Sequence, residues 1–138
     1  MMIDANKFKD INDKYGHIEG DRALKFIADA LKRGCKTNNN RPFIARFGGD
    51  EFVVICNDVT EEYTTEIRKS IVEALENIVI ENNIQYSLTI SIGYTKYDPE
   101  NDTAQTLIAK ADENLYEQKK IAHGNEEYKR KKTIFRRK

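Results

Sequence analysis

From Asp21 to Lys32 the apolar residues Ala23, Leu24, Ile27, Ala28 and Leu31 recur three and four apart, the stripe of an amphipathic helix. Gly34 and the Asn38-Asn39-Asn40 run end it. Phe43 to Cys56 is rich in strand formers and interrupted at Gly48-Gly49, which predicts two short strands joined by a tight turn in which the glycines supply positive φ. Thr60 can cap the next helix, whose Tyr63, Ile67, Ile71, Leu75 and Ile78 share one side. Ile84, Tyr86, Leu88, Ile90, Ile92 and Tyr94 then fall at every second position, the clearest strand signal in the chain. Asp98-Pro99 breaks that strand, and Asp102 or Thr103 can cap a last helix with Leu107, Ile108, Ala111 and Leu115 on its buried side. At the front, Met1-Met2-Ile3-Asp4 reads as the end of a strand, and Phe8-Lys9-Asp10-Ile11-Asn12-Asp13 as a turn entering a short helix. Strands mixed with amphipathic helices predict helices packed on a sheet, an α/β or α+β class.

The 138 residues fit one domain. Apolar residues at 39% suffice for a single core and are too many for a disordered chain. The longest apolar run, Phe52 to Cys56, is far too short to span a membrane, and the first residues lack the regions of a signal peptide. Cys35 and Cys56 have neither metal spacing nor disulfide density, so they read as small core side chains in a reducing cytoplasm. Basic and acidic residues number 23 each, so no global field favours a nucleic acid or a membrane. That balance is uneven along the chain. Seven basic residues lie between Lys129 and Lys138, leaving 16 basic against 21 acidic residues up to Asn125. The segment 126–138 is expected to be a disordered, solvated extension, with an anionic partner as the alternative.

The chemistry concentrates at Arg46-Phe47-Gly48-Gly49-Asp50-Glu51-Phe52. Adjacent carboxylates repel and Asp is a poor strand former, so the pair is an odd choice for a purely structural hairpin and makes sense beside a cation. Hard ions such as Mg²⁺ take one or two carboxylates together with substrate phosphate oxygens. Asp4 could supply another carboxylate if its strand lies beside the hairpin. A solvated acidic turn is the alternative reading. Phe47 and Phe52 read as core anchors on either side of the turn.

Four separated motifs resemble the GGDEF domain of diguanylate cyclases: Asp4 with Phe8 to Asp13, Gly16-His17-Ile18-Glu19-Gly20-Asp21, Arg46 to Phe52, and Ala111-Asp112-Glu113-Asn114-Leu115-Tyr116 with Lys119. Ser91-Ile92-Gly93 resembles the family's strand ending as well. The resemblance implies a GGDEF domain over residues 1–125. It also implies an α+β fold, the palm-like, ferredoxin-like sheet of nucleotidyl cyclases with helices packed on it. The implied reaction joins two GTP into cyclic di-GMP with loss of two pyrophosphates, and it needs a homodimer because each domain holds one GTP. A catalytically weak fragment that only binds GTP or a partner protein is the alternative.

By resemblance, Asp4, the Ala5 carbonyl, Asp50 and Glu51 match the ligands of Mg²⁺ or Mn²⁺, and Glu51 is the second metal ligand or the base for the attacking hydroxyl. Asp50 and Glu51 form the catalytic pair. Lys9 and Lys119 match phosphate contacts, with backbone amides near Lys7 and Phe8 beside them. Asn12 and Asp21 match the guanine-reading positions. A carboxylate at Asp21 can accept from N1–H and the exocyclic amine of guanine, a donor pair that adenine lacks. His17 reads either as a substrate contact or as a local turn residue, and Gly48 and Gly49 leave room for the nucleotide.

The chain also departs from the family pattern. Asn39 and Pro42 stand where an Arg-x-x-Asp product-inhibition site is found, which predicts no feedback inhibition through that site. His123 replaces a phosphate-binding Arg, and Asn6 an Asp. The family's preceding helix and most of its first strand have no counterpart before Asp4, so a fragment of a longer protein is expected, with a membrane or sensor domain belonging only to such a parent. Unpaired strand edges and low stability are expected to follow.

Overall fold

A computed structural model describes residues 1–36 and 41–122; Asn39, His123 and the basic segment 126–138 lie outside the described residues. The elements in order are β1 (Met2–Ala5), α1 (Phe8–Tyr15), α2 (His17–Gly34), β2 (Phe43–Gly48), β3 (Glu51–Ile55), α3 (Glu61–Glu81), β4 (Ile90–Gly93) and α4 (Ala104–Ala122). The four strands make one antiparallel sheet in the order β2-β3-β1-β4. The fold is thus the α+β arrangement that the resemblance implies, one of the two classes the patterning left open. Among the described residues no helix is long and apolar enough to cross a membrane.

The short β1 organises the sheet because it pairs on both sides. Ile3 lies opposite Phe52 of β3 and Ile92 of β4, and Asp4 opposite Glu51 and Ser91. Met1 continues the pairing with β3: its carbonyl accepts from the Val54 N–H at 2.9 Å. All four β1 residues are buried, and alternation sends them to different layers. Ile3 and Ala5 join the main core with Ile27 and Leu31 of α2 and Ile67, Ile71 and Ile78 of α3. Met2 instead packs with Ala111 and Leu115 of α4 on the opposite face. Fully burying one such aliphatic side chain contributes about 1.5–3 kcal/mol. A Cβ on Gly93 would come within 2.2 Å of the Leu115 nitrogen and 2.5 Å of the Ala111 carbonyl oxygen. Glycine there lets α4 lie directly on β4.

Four local expectations need correction. The turn is Gly49-Asp50, while Gly48 closes β2 and only Gly49 has positive φ, at 36°. The register slips between Arg46 and Gly48, so Phe47 is the unpaired residue of a bulge; it is 47% exposed and anchors nothing, whereas Phe52 is buried. The alternating run Ile84 to Tyr94 is a strand only from Ile90 to Gly93. Its partner ends first: Ala5 pairs with Ile90, the Asn6 N–H donates to the Thr89 carbonyl, and Lys7 at φ 51° turns the chain into α1. Leu88 is still buried and Ile84 and Tyr86 pack on the core, so the alternation records burial without a ladder. In α4, Ile108 is 40% exposed, and Ala111 and Leu115 carry the contact with the sheet.

The caps follow local chemistry. The Thr60 side chain accepts from the Tyr63 N–H at the start of α3. Thr103 caps α4 reciprocally with Thr106, each hydroxyl accepting from the other's N–H. Cys35 is buried and free, and burial pushes its thiol up to about 11, so it remains a protonated core side chain.

Candidate active site

The C-terminal end of β1 brings the charged residues together. Asp4 sits in a central strand where every neighbour along the chain is apolar, yet it is only 2% exposed. A carboxylate buried in that way needs compensation. Lys119, also 2% exposed, supplies it from the last turn of α4: its Nζ lies 3.5 Å from Asp4 Oδ2 and donates to the Ala5 carbonyl. The approach of α4 over Gly93 puts Lys119 one turn beyond Leu115 and above β1.

Glu51 opens β3 directly opposite Asp4, so the two side chains share the α4 face of the sheet with Cβ atoms about 5 Å apart. Asp50 occupies the turn, and its carbonyl accepts from the Ala5 N–H at 3.4 Å. Arg46 holds this turn from the strand below: its Nε and Nη2 donate to the Gly49 carbonyl at 2.9 and 2.7 Å. On the other flank Asn6 receives the Ser91 hydroxyl at 2.8 Å and donates to the Thr89 hydroxyl at 3.0 Å, which fixes the end of β1 against the strand beside it. Asn6 is therefore a brace between strands.

A second group forms where α1 meets α2. Asn12 and Phe8 lie against Gly20, whose next residue is Asp21. Asn12 is half-buried, and Asp21 is exposed. Tyr86, which follows α3, donates its hydroxyl to Glu19 at 2.8 Å and packs its ring, tilted by 39°, against that of Tyr15 at 4.9 Å, pinning the first turn of α2 to the body. Burial and then the Glu19 carboxylate raise the Tyr86 phenol well above its ordinary range. Lys9 and His17 are exposed on the first turns of α1 and α2. Among the described residues no side chain caps the start of α1, where left-handed Lys7 leads into the amides of Phe8 and Lys9.

The structure thus brings together Asp4, Ala5, Asp50, Glu51 and Lys119 at the sheet end, and Phe8 and Asn12 of α1 against Gly20, next to Asp21, of α2. Arg46, Asn6 with Ser91, and the Glu19–Tyr86 pair are supports that the sequence reading assigned no such role. Arg46 stood inside the hairpin motif and could have been found there. Glu19 and Tyr86 are 67 positions apart, and nothing local connects them.

Among the described residues no three His, Cys, Asp or Glu side chains converge as a metal cage. The oxygen set still fits an ion held jointly by protein and phosphate, since Asp4 and the Ala5 carbonyl already share one cationic group in Lys119. An open cleft of about 1060 Å³ lies elsewhere and is lined by residues that include Met1, Cys56, Tyr94 and Tyr97. It contains none of the clustered carboxylates.

The GGDEF domain of diguanylate cyclases matches residues 1–125. Diguanylate cyclase A of Treponema denticola is 35% identical over 124 residues, covering 86% of this chain and 32% of the relative. The chain therefore spans about a third of that protein's length. Among solved structures, the GGDEF domain of YfiN (TpbB) from Pseudomonas aeruginosa is 31% identical, with a TM-score of 0.63 over 89% of this chain and 76% of that one. The GGDEF domain of DgcB from Caulobacter crescentus, solved in complex with c-di-GMP, shares the fold at 23% identity, with a TM-score of 0.62 over 90% of this chain and 72% of that one. With nearly its whole length matched, and with the four motifs carried on the same fold, the chain belongs to the diguanylate cyclase GGDEF domain family.

Proposed function

We propose that this chain is the catalytic domain of a diguanylate cyclase, condensing two GTP into cyclic di-GMP and two pyrophosphates for bacterial second-messenger signalling. The observation that carries the reading is the meeting of Asp4, the Ala5 carbonyl, Glu51 and Lys119 at one end of the sheet, next to the uncapped amides of α1. Asp4, the Ala5 carbonyl, Asp50 and Glu51 would hold Mg²⁺ (or Mn²⁺), which would supply polarisation of the phosphate under attack. The chain's own residues do the rest. Lys119 and Lys9 neutralise the triphosphate as point charges, and the amides at Phe8 add neutral donors. Asn12 and Asp21 read the guanine edge, with His17 beside them, and the bare backbone of Gly48 and Gly49 leaves the nucleotide room.

In each of two such steps the 3′ oxygen of one GTP bonds to the α-phosphorus of the other, and the bond to pyrophosphate breaks. The hydroxyl proton passes to Glu51 or to solvent. The second step closes the ring. Two chains must therefore face one another, each presenting one nucleotide.

Purified protein incubated with GTP and Mg²⁺ tests this. The parent chain is expected to form cyclic di-GMP, and Glu51→Gln to lower the rate about 100-fold or more while still binding GTP. A parent chain that binds GTP and forms no product is instead a nucleotide-binding module.

A further inference from the structure

The Asp4–Lys119 pair has an unusual composition for a phosphate-binding lysine. Its ammonium does not extend into solvent; it is buried against the carboxylate of Asp4 and the carbonyl of Ala5. Those are two of the oxygen donors assigned above to the divalent ion. We propose that Lys119 is a resident counter-ion, neutralising Asp4 and satisfying the Ala5 carbonyl in the ligand-free protein, and that it is displaced only when cation and triphosphate arrive together. The inference rests on the reading that Asp4 and Ala5 hold the cation.

Three features support the exchange. Asp4 lies buried in an inner strand of the sheet, where a carboxylate is costly without a cation, and the Lys119 ammonium lies 3.5 Å from it. Lys119 has a four-carbon stem that can re-aim its ammonium, while the backbone of α4 stays fixed by its contact over Gly93. An ammonium and a divalent ion on the same two oxygens repel strongly, so the ion takes them only as the ammonium moves away. The anionic triphosphate is a favourable destination for it. Ion and nucleotide then help each other bind, although the ion's own protein ligands are unchanged.

Mg²⁺ titration of the parent chain and of Lys119→Met by calorimetry and thermal unfolding, without nucleotide, tests this. Metal-free Lys119→Met is expected to melt below the parent and to bind Mg²⁺ alone about tenfold or more tightly than the parent does. Equal or weaker Mg²⁺ binding by the variant overturns the proposal. Should the variant not fold, ¹⁵N NMR of the lysine ammonium groups in the parent decides. The protected Lys119 signal should stay with Mg²⁺ alone and move with Mg²⁺ plus a GTP analogue carrying a methylene between the α and β phosphates. A signal unmoved by saturating Mg²⁺ and analogue overturns it. If neither chain binds Mg²⁺ even with the analogue, the cation reading of Asp4 and Ala5 falls as well. If the parent binds Mg²⁺ and analogue in an Asp4-dependent way but Lys119→Met gains nothing, only the counter-ion role falls.

Discussion

A Cβ placed on Gly20 would lie 1.8 Å from Oδ1 of Asn12 and 3.3 Å from the Phe8 ring. The closest atom is the tip of a flexible side chain, so Gly20→Ala should be absorbed by rotating Asn12 away, without moving a helix. Alanine is also the better helix former by about 1 kcal/mol, which offsets the adjustment. Thermal unfolding of Gly20→Ala should therefore stay close to the parent's. GTP binding should fall about tenfold, the worth of one lost hydrogen bond, with a smaller preference over ATP. Unchanged affinity and preference in a nucleotide titration would remove Asn12 from guanine reading. Asp50 and Glu51 stood out in the sequence because adjacent carboxylates after a glycine turn repel without a cation, whereas Lys9, Asn12, Asp21 and Lys119 were legible only through the family resemblance. Lys119's burial was not legible, since a lysine on a helix looks the same whether solvated or paired across the fold. Phe47 misled for a related reason: aromatic character signals burial only where the strand register holds, and the register slips at that residue.

At the level of elements, helices came through well because each stripe is local, and Thr60 and the Thr103–Thr106 pair are local caps. Strand length did not, since the ladder of β4 stops where β1 turns away, an event 85 residues earlier in the chain that alternation cannot report. The loop before α4 adds a charged anchor that the sequence suggested only as a cap. The buried Asp102 accepts from Lys110 Nζ at 2.6 Å, from the Asp98 N–H at 2.9 Å and from the Thr106 hydroxyl at 3.0 Å. The hydrogen bond from Lys110, followed by that from the Asp98 backbone, holds its carboxyl below the ordinary 3.8. A carboxyl depressed in the folded state contributes stability above its unfolded value, and the contribution is lost as pH falls through the folded one. Asp102→Asn should therefore melt below the parent near neutral pH, and the gap should narrow as pH drops below about 4. Melting curves between about pH 2 and 7 check this; a gap independent of pH would mean that the charge on Asp102 contributes nothing to seating α4.

Over the whole molecule, the carboxylates Asp4, Asp50 and Glu51 gather at one end of one sheet, with Asn12 and Asp21 at the neighbouring helix corner. In the proposed function, one chain offers one set of triphosphate and guanine contacts. The proposed product contains two guanosines joined by two phosphodiesters, so a single domain holding one GTP has no second nucleotide to attack. The hairpin that carries Asp50 and Glu51 is formed by the sheet's edge strand β2 and its neighbour β3, an arrangement that leaves the turn at the margin of the molecule. If each chain contributes one GTP, the productive species is a dimer, and mass action sets its amount. At saturating GTP and chain concentrations below the dimer's dissociation constant, doubling the chain should raise the initial rate about fourfold, approaching twofold once dimers dominate. A rate strictly proportional to chain concentration over the whole range, with a monomer confirmed by sedimentation, would show that one chain completes the condensation alone. Adding excess Asp4→Asn chain separates the two cases further. In a dimer it should poison the parent, because each mixed pair has only one complete site, whereas independent monomers would be untouched.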